Sequence, residues 1–255
     1  MSRCRAFACA AVAWILGLAL AGCAGAPVNP VESAWTPGES WWQAAVVSGG
    51  HLEAADGSKR FVGASHAKNL HEAAREVGKR SPIAAALALV DAPGPNAYAA
   101  VVNGRPVIAV TLGFLDLLGG DRDALATTLG HELAHLHFGH SETRRERHQT
   151  AQGASRILGT LLGLAGVPMG GTLANVGVTA VVRSFTRDEE RAADAQGLEW
   201  ATAAGFSACG SARTVRALQA SGGGAVIPFL ATHPGDDERV ERANEVSLRL
   251  TGKAC

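Results

Sequence analysis

The sequence lacks several things, and each absence removes a class of function. It has no surplus of charge: 23 Lys and Arg stand against 23 Asp and Glu. A nucleic-acid binder needs a basic face, and nothing here supplies one. No segment repeats, which argues against a repeat-built partner domain. No apolar run makes a convincing membrane span. The run from 6 to 21 is shorter than the roughly 20 residues a spanning helix needs. The stretch from Ile157 to Val182 carries no charge and is long enough, but six glycines and Pro168 interrupt it. It reads as two buried helical segments around a loop, the alternative being a hairpin that touches a membrane. What remains is rich in Ala, Leu, Glu and Arg, residues that favour helices, and suits one mainly helical domain.

The N-terminus reads as an address. Arg3 and Arg5 precede the apolar run, as in a secretory signal. Leu20-Ala21-Gly22-Cys23 follows and resembles the bacterial lipobox. That resemblance implies cleavage before Cys23 and lipidation of it. Ala24 rather than Asp follows, which implies sorting to the outer membrane, with the protein facing the periplasm. Cys4 and Cys9 leave with the signal, so Cys209 and Cys255 remain. An even pair in an exported chain points to one disulfide. The expected organisation is a lipoprotein signal peptide at 1–22, an N-terminal tether at 23–60 and a single folded domain at 61–255, which is the part that the motifs below concern. Trp35, Trp41 and Trp42 are expected to pack on the domain, with a membrane interface as the other possibility.

The stretch from His66 to Arg80 reads as a helix that ends before Pro82, and Ile83 to Val90 reads as a strand. Tyr98–Val102 and Pro106–Thr111 flank Asn103-Gly104, the pattern of a hairpin. Asp121 can cap a helix running to about Phe138. Within it lies His131-Glu132-Leu133-Ala134-His135. Two His residues four apart share a helix face and can reach one metal ion. Leu125, Leu129, Leu133 and Leu136 form a separate apolar stripe. A helix so poor in charge is built for burial, and a carboxylate inside it is costly without compensation. A water held by Zn²⁺ beside Glu132 is such a compensation, with Glu132 as the general base of a metalloprotease. His137 and His140 point away from the His face on a continuing helix. They read as surface residues or as supports behind the ligands.

A third ligand is needed. The pattern with Gly at 138 and His at 141 fails, because Phe138 and Ser141 stand there. A later acidic helix is the alternative. Thr186 and Glu189 form a capping box that starts it. Glu190 and Asp194 then share one face with Gly197 and Ala201, whose small size permits close approach to the metal helix. Glu190 is thus the expected ligand, and Glu189 points about 100° away.

H-E-x-x-H followed by E-x-x-A-D resembles the family of HtpX, the CAAX prenyl protease and related periplasmic peptidases. Asn96-Ala97-Tyr98 before the hairpin, and His233-Pro234 followed by Arg239, are similar to further parts of its pattern. The resemblance covers roughly 65 to 250 and lies with a soluble lipoprotein branch. It implies an α+β, mainly helical zincin-like fold with a small sheet beside the active-site helices. It also implies one Zn²⁺ on His131, His135 and Glu190, Glu132 as base, and Asp194 orienting a ligand His. Asn96, Ala97 and Tyr98 would lie on the strand that takes an extended substrate. His233 stays open between a ligand of a latent state, a donor to the oxyanion and a surface His without a role. The expected function is hydrolysis of unfolded or misassembled envelope proteins. The alternatives are a catalytically weak chaperone or assembly lipoprotein of the same fold, and a zinc hydrolase acting on something other than peptides.

Overall fold

The computed structural model describes residues 36–53, 59–143, 146, 185–221, 227–234 and 236–255. The leader, Cys23, Trp35 and the uncharged stretch 157–182 lie outside the described residues, as does most of 144–147. Eight helices and five strands follow one another among the described residues. They are α1 (Glu39–Ser48), β1 (Gly50–Glu53), β2 (Lys59–Val62), α2 (Ala64–Gly78), β3 (Ala86–Val90), β4 (Ala97–Val102) and β5 (Arg105–Thr111). Then come α3 (Leu112–Leu118), α4 (Arg122–His137), α5 (Arg187–Ala203), α6 (Cys209–Ser221), α7 (Pro228–Thr232) and α8 (Asp236–Thr251). The fold is α+β and mainly helical, with a two-stranded and a three-stranded sheet. Among the described residues no helix is long and apolar enough to cross a membrane.

The metal helix α4 is the axis of the core. Asp121 caps it, its carboxylate accepting from the backbone N–H of Asp123 at 3.1 Å and of Ala124 at 3.0 Å. Every residue from Ala124 to Leu136 is buried, so this stretch has no solvent face and is covered on sides other than its leucine stripe as well. α2, α5 and α6 pack against it. The crossing of α4 and α5 is very close and depends on a glycine from each helix. A Cβ at Gly197 of α5 would lie 2.5 Å from the backbone nitrogen of His131, and one at Gly130 would lie 2.6 Å from the carbonyl oxygen of Gly197. Small residues at 197 and 201 therefore do what their shared face predicted.

In the larger sheet the strand order is β3-β5-β4, with β3 parallel and β4 antiparallel to β5. The β4–β5 turn is the expected Asn-Gly hairpin, with Asn103 at φ 49° and Gly104 at φ 76°, a left-handed pair typical of a two-residue loop. One face of the sheet, with Leu89, Ala97, Ala99, Ile108 and Val110, joins the main core. Among the described residues β4 pairs with β5 alone, and it is the strand that lies closest to α4. Its other edge runs beside the metal helix.

The folded unit reaches back further than the boundary expected at 61, which falls inside β2. α1 and the β1–β2 hairpin occupy much of the stretch read as a tether. Trp42 is buried, and its ring stacks on His71 of α2 with centroids 5.0 Å apart. The indole Nε1 of Trp41 donates to the carbonyl of His51 at 3.2 Å. Pro and Gly punctuation masked a helix whose stability comes from those tertiary contacts rather than from local propensity.

Candidate metal centre

Four side chains from three places in the chain converge in the buried core. His131 and His135 come from α4, Glu190 from α5, and His233 from the residue that ends α7. One donor atom from each lies within 4.8 Å of those of the other three. The Nε2 atoms of His131 and His135 are 3.0 Å apart, and His233 Nδ1 is 3.2 Å from His131 Nε2. Glu190 Oε1 is 2.9 Å from His233 Nδ1 and 3.3 Å from His135 Nε2; Glu190 Oε2 is 3.4 Å from His131 Nε2. Donors about 2.0–2.1 Å from a tetrahedral ion would be about 3.4 Å from each other. The spacing and the three-nitrogen, one-carboxylate set both suit such an ion. Ring nitrogens that face one another this closely, with few protons to share, are otherwise poorly compensated.

Local structure explains each position. The four-residue spacing on α4 stacks His131 and His135 on one face. The capping box at the start of α5 is formed in both directions, Thr186 Oγ1 accepting from Glu189 N–H and the Glu189 carboxylate from Thr186 N–H. This uses Glu189 at the helix start and turns Glu190 inward, where only 3% of it is exposed. His233 is held on its loop by its N–H, which donates to the Phe229 carbonyl at 2.9 Å, and by stacking on the Phe229 ring. Glu132 is completely buried, with Oε1 3.5 Å from His233 Nε2.

A second layer holds the donors. Asp194 Oδ1 is 2.9 Å from His131 Nδ1, on the side of the ring away from the cluster. Arg239 of α8, also buried, places Nε 3.0 Å from Asp194 Oδ1 and donates from Nη2 to Glu190 Oε2. Burial opposes ionisation of Glu190, but His233 and His131 outweigh it and hold the carboxyl far below its usual range. Burial likewise opposes the charge of Asp194, and Arg239 and His131 keep its carboxyl low. For His135, burial first and His131 second push the imidazole well below its ordinary value, toward the neutral form that binds metal. The Phe185 ring lies flat on His135, centroids 3.8 Å apart, and its N–H donates to the Thr232 carbonyl at 2.9 Å.

Most of the residues expected in the site are brought together: His131, Glu132, His135, Glu190, Asp194 and His233. Asn96, Ala97 and Tyr98 are not in the cluster. Asn96 leads into β4, its carbonyl accepting from Thr111 N–H at 3.0 Å. Bonding to β5 therefore alternates through 96, 98, 100 and 102, leaving the backbone of Ala97, Ala99 and Val101 toward the opposite edge. The Tyr98 side chain joins the far face of the sheet with Ala88 and Val107, and burial pushes its hydroxyl up to about 12. Ser141 Oγ donates to the Ala99 carbonyl at 3.3 Å, on that edge. Cys209 and Cys255 are bridged. Sequence reasoning did not assign Arg239 a role. Its signal was indirect, since two buried acids on one helix face require a cation. Phe185 carried no readable pattern, and His140, read as a surface residue or a support behind the ligands, lies with its Nδ1 3.0 Å from His135 Nδ1.

The family model described as peptidase family M48 matches residues 64–247. That span contains every donor of the cluster together with Glu132, Asp194 and Arg239. No curated protein matches the chain.

Proposed function

The chain belongs to peptidase family M48 and is a metallopeptidase, and from that premise we propose that it is a zinc-dependent endopeptidase that cleaves unfolded or misassembled envelope polypeptides. The observation that carries the reading is the four-donor cluster with the fully buried Glu132 carboxylate beside it. His131, His135 and Glu190 would hold the ion. When bound, Zn²⁺ acts as a Lewis acid on a scissile carbonyl and makes a water acidic enough to attack at neutral pH. Glu132 takes the proton from the attacking water and delivers it to the leaving amine. Asp194 fixes the His131 ring through Nδ1 and keeps Nε2 turned to the cluster. Arg239 balances the two buried carboxylates, so neither has to protonate to remain inside.

His233 Nδ1 completes the donor set, and the conformation described is accordingly read as a latent one. Work on a substrate then requires the turn after α7 to move away. The edge of β4 that carries no strand among the described residues suits an extended peptide added as a further strand, a mode that reads backbone more than side chains. Such a mode fits chains that have lost their fold, which is why quality control is the proposed role. Substrate would displace the Ser141 hydroxyl from Ala99. We also propose that lipidated Cys23 anchors the enzyme at the periplasmic face of the outer membrane. Cys23→Ser should abolish lipid labelling, and an unmodified mature N-terminus other than Cys23 in a mass spectrum would remove the anchor.

The deciding experiment is hydrolysis of unfolded casein by the purified full chain, with and without a zinc chelator. Chelation should abolish cleavage and added zinc restore it. Cleavage indifferent to the chelator would overturn the zinc assignment.

A further inference from the structure

On a continuing helix His140 would point about 140° away from His135. The helix instead ends at His137, and Gly139 at φ 67° turns the chain back. A left-handed residue there favours glycine, because a Cβ would be strained at that φ. The turn returns the His140 ring to His135, with centroids 5.1 Å apart and the two Nδ1 atoms at 3.0 Å. The His140 ring also lies against Phe138, centroids 5.4 Å apart, and near Phe185.

Protonation states follow from the donor geometry. His135 turns Nε2 toward His131 and Glu190, so Nε2 must keep its lone pair for an ion. A neutral His135 then carries its proton on Nδ1. The 3.0 Å contact thus has one consistent polarity: His135 Nδ1–H donates and His140 Nδ1 accepts. Metal-bound histidines commonly donate this second N–H to a carboxylate or a carbonyl, which fixes ring orientation and raises basicity. Asp194 faces His131 in that way, while the group facing His135 is an imidazole.

The geometry points to His140 as the positioning residue for His135: it accepts the Nδ1–H, selects the tautomer and holds Nε2 toward the ion. This assignment rests on the zinc reading of the cluster. It does not make His140 a ligand. Its Nδ1 is already engaged on the far side of the His135 ring from the donor cluster.

Zinc affinity of the full chain, measured by competition with a chromophoric chelator, tests it in wild type, His140→Asn, His140→Phe and His140→Ala. Asn places an acceptor oxygen near the position of Nδ1, whereas Phe keeps a ring for Phe138 and Phe185 but has no acceptor. His140→Phe and His140→Ala should bind zinc about 10–100-fold more weakly than wild type, and His140→Asn should recover most of that loss. The absorption spectrum of the cobalt-substituted protein should be shared by wild type and His140→Asn and altered in His140→Phe. Wild-type affinity in His140→Phe, or equal weakness in His140→Asn and His140→Phe, would overturn the assignment. Absence of stoichiometric zinc binding by wild type would instead overturn the zinc reading, and this inference with it.

Discussion

Glu132 and His233 separate ligation from chemistry at the scale of single residues. Glu132→Gln keeps every donor of the cluster and removes the base. Zinc content should be unchanged while casein hydrolysis falls by at least about 100-fold, measured as initial rates on metal-quantified protein. Substantial residual cleavage would move the base elsewhere. His233→Ala removes one of four donors. As a latch, its loss raises basal cleavage; a fall in kcat of about 100-fold at full zinc occupancy would make His233 an oxyanion donor instead. The side chains with chemistry were legible in sequence because spacing alone places them: His131 and His135 by one helical turn, Glu190 and Asp194 by another. His140 was read from the same helical wheel and belongs to a different geometry, since one left-handed glycine ends the helix before it. Arg239 sits on a separate helix, so no spacing rule ties it to the acids it serves.

Elements bring those residues together through close packing and capped ends. Gly197→Ala inserts a Cβ where the backbone of His131 lies 2.5 Å away. α5 must shift, at about 1–3 kcal/mol, and Glu190 shifts with it. Calorimetry should therefore show a lower Tm, and chelator competition weaker zinc binding, in the same variant. Unchanged zinc affinity would mean that the crossing does not set the donor spacing. The start of α4 gives a pH prediction. Burial resists ionisation of Asp121, but Arg213 and the capped N–H groups outweigh it and hold the carboxyl below its usual range. Arg213 Nη2 is 2.9 Å from Asp121 Oδ1. A carboxyl depressed in the folded state stabilises above its unfolded pKa of about 4 and loses that stabilisation as pH falls through the folded value. Tm should accordingly drop on acidification below about pH 4, and Arg213→Met should flatten that limb. Asp121→Ala, which removes the cap as well, should cost about 1 kcal/mol at neutral pH. Element types read well from sequence where an end signal was present, as at Asp121, Thr186 and Asn103-Gly104. α1 and the β1–β2 hairpin were missed because their order depends on Trp42 meeting α2, a contact between segments with no shared period.

For the molecule as a whole, the Cys209–Cys255 bridge ties the start of α6 to the chain beyond α8, across a sequence separation of 46. A loop of that size is worth about 4 kcal/mol in the chain-entropy model. Cys209→Ser with Cys255→Ser should lower urea stability by about that amount, and a loss below about 1 kcal/mol would mean that the unfolded chain is constrained by other means. The bridge also secures the far end of α8, the helix that carries Arg239, so its removal should loosen the support of Glu190 and Asp194. The sequence by itself determined the class of chemistry, a metal held by a two-His helix and an acidic partner helix, because local periodicity and capping act over a few residues and are written in order along the chain. It also raised the cysteine pair as an expectation, resting on the reading of 1–22 as a signal peptide and of Cys23 as lipidated, and the fold places Cys209 and Cys255 in one bridge. Only the tertiary structure decided that His233 joins the cluster of possible donors, that Arg239 balances two buried acids, that β4 pairs only with β5 among the described residues and that folded elements precede residue 59. These depend on segments far apart in sequence meeting in one dry core, where burial makes each unmet charge costly and so selects the partners, and no local pattern encodes which distant segment will arrive.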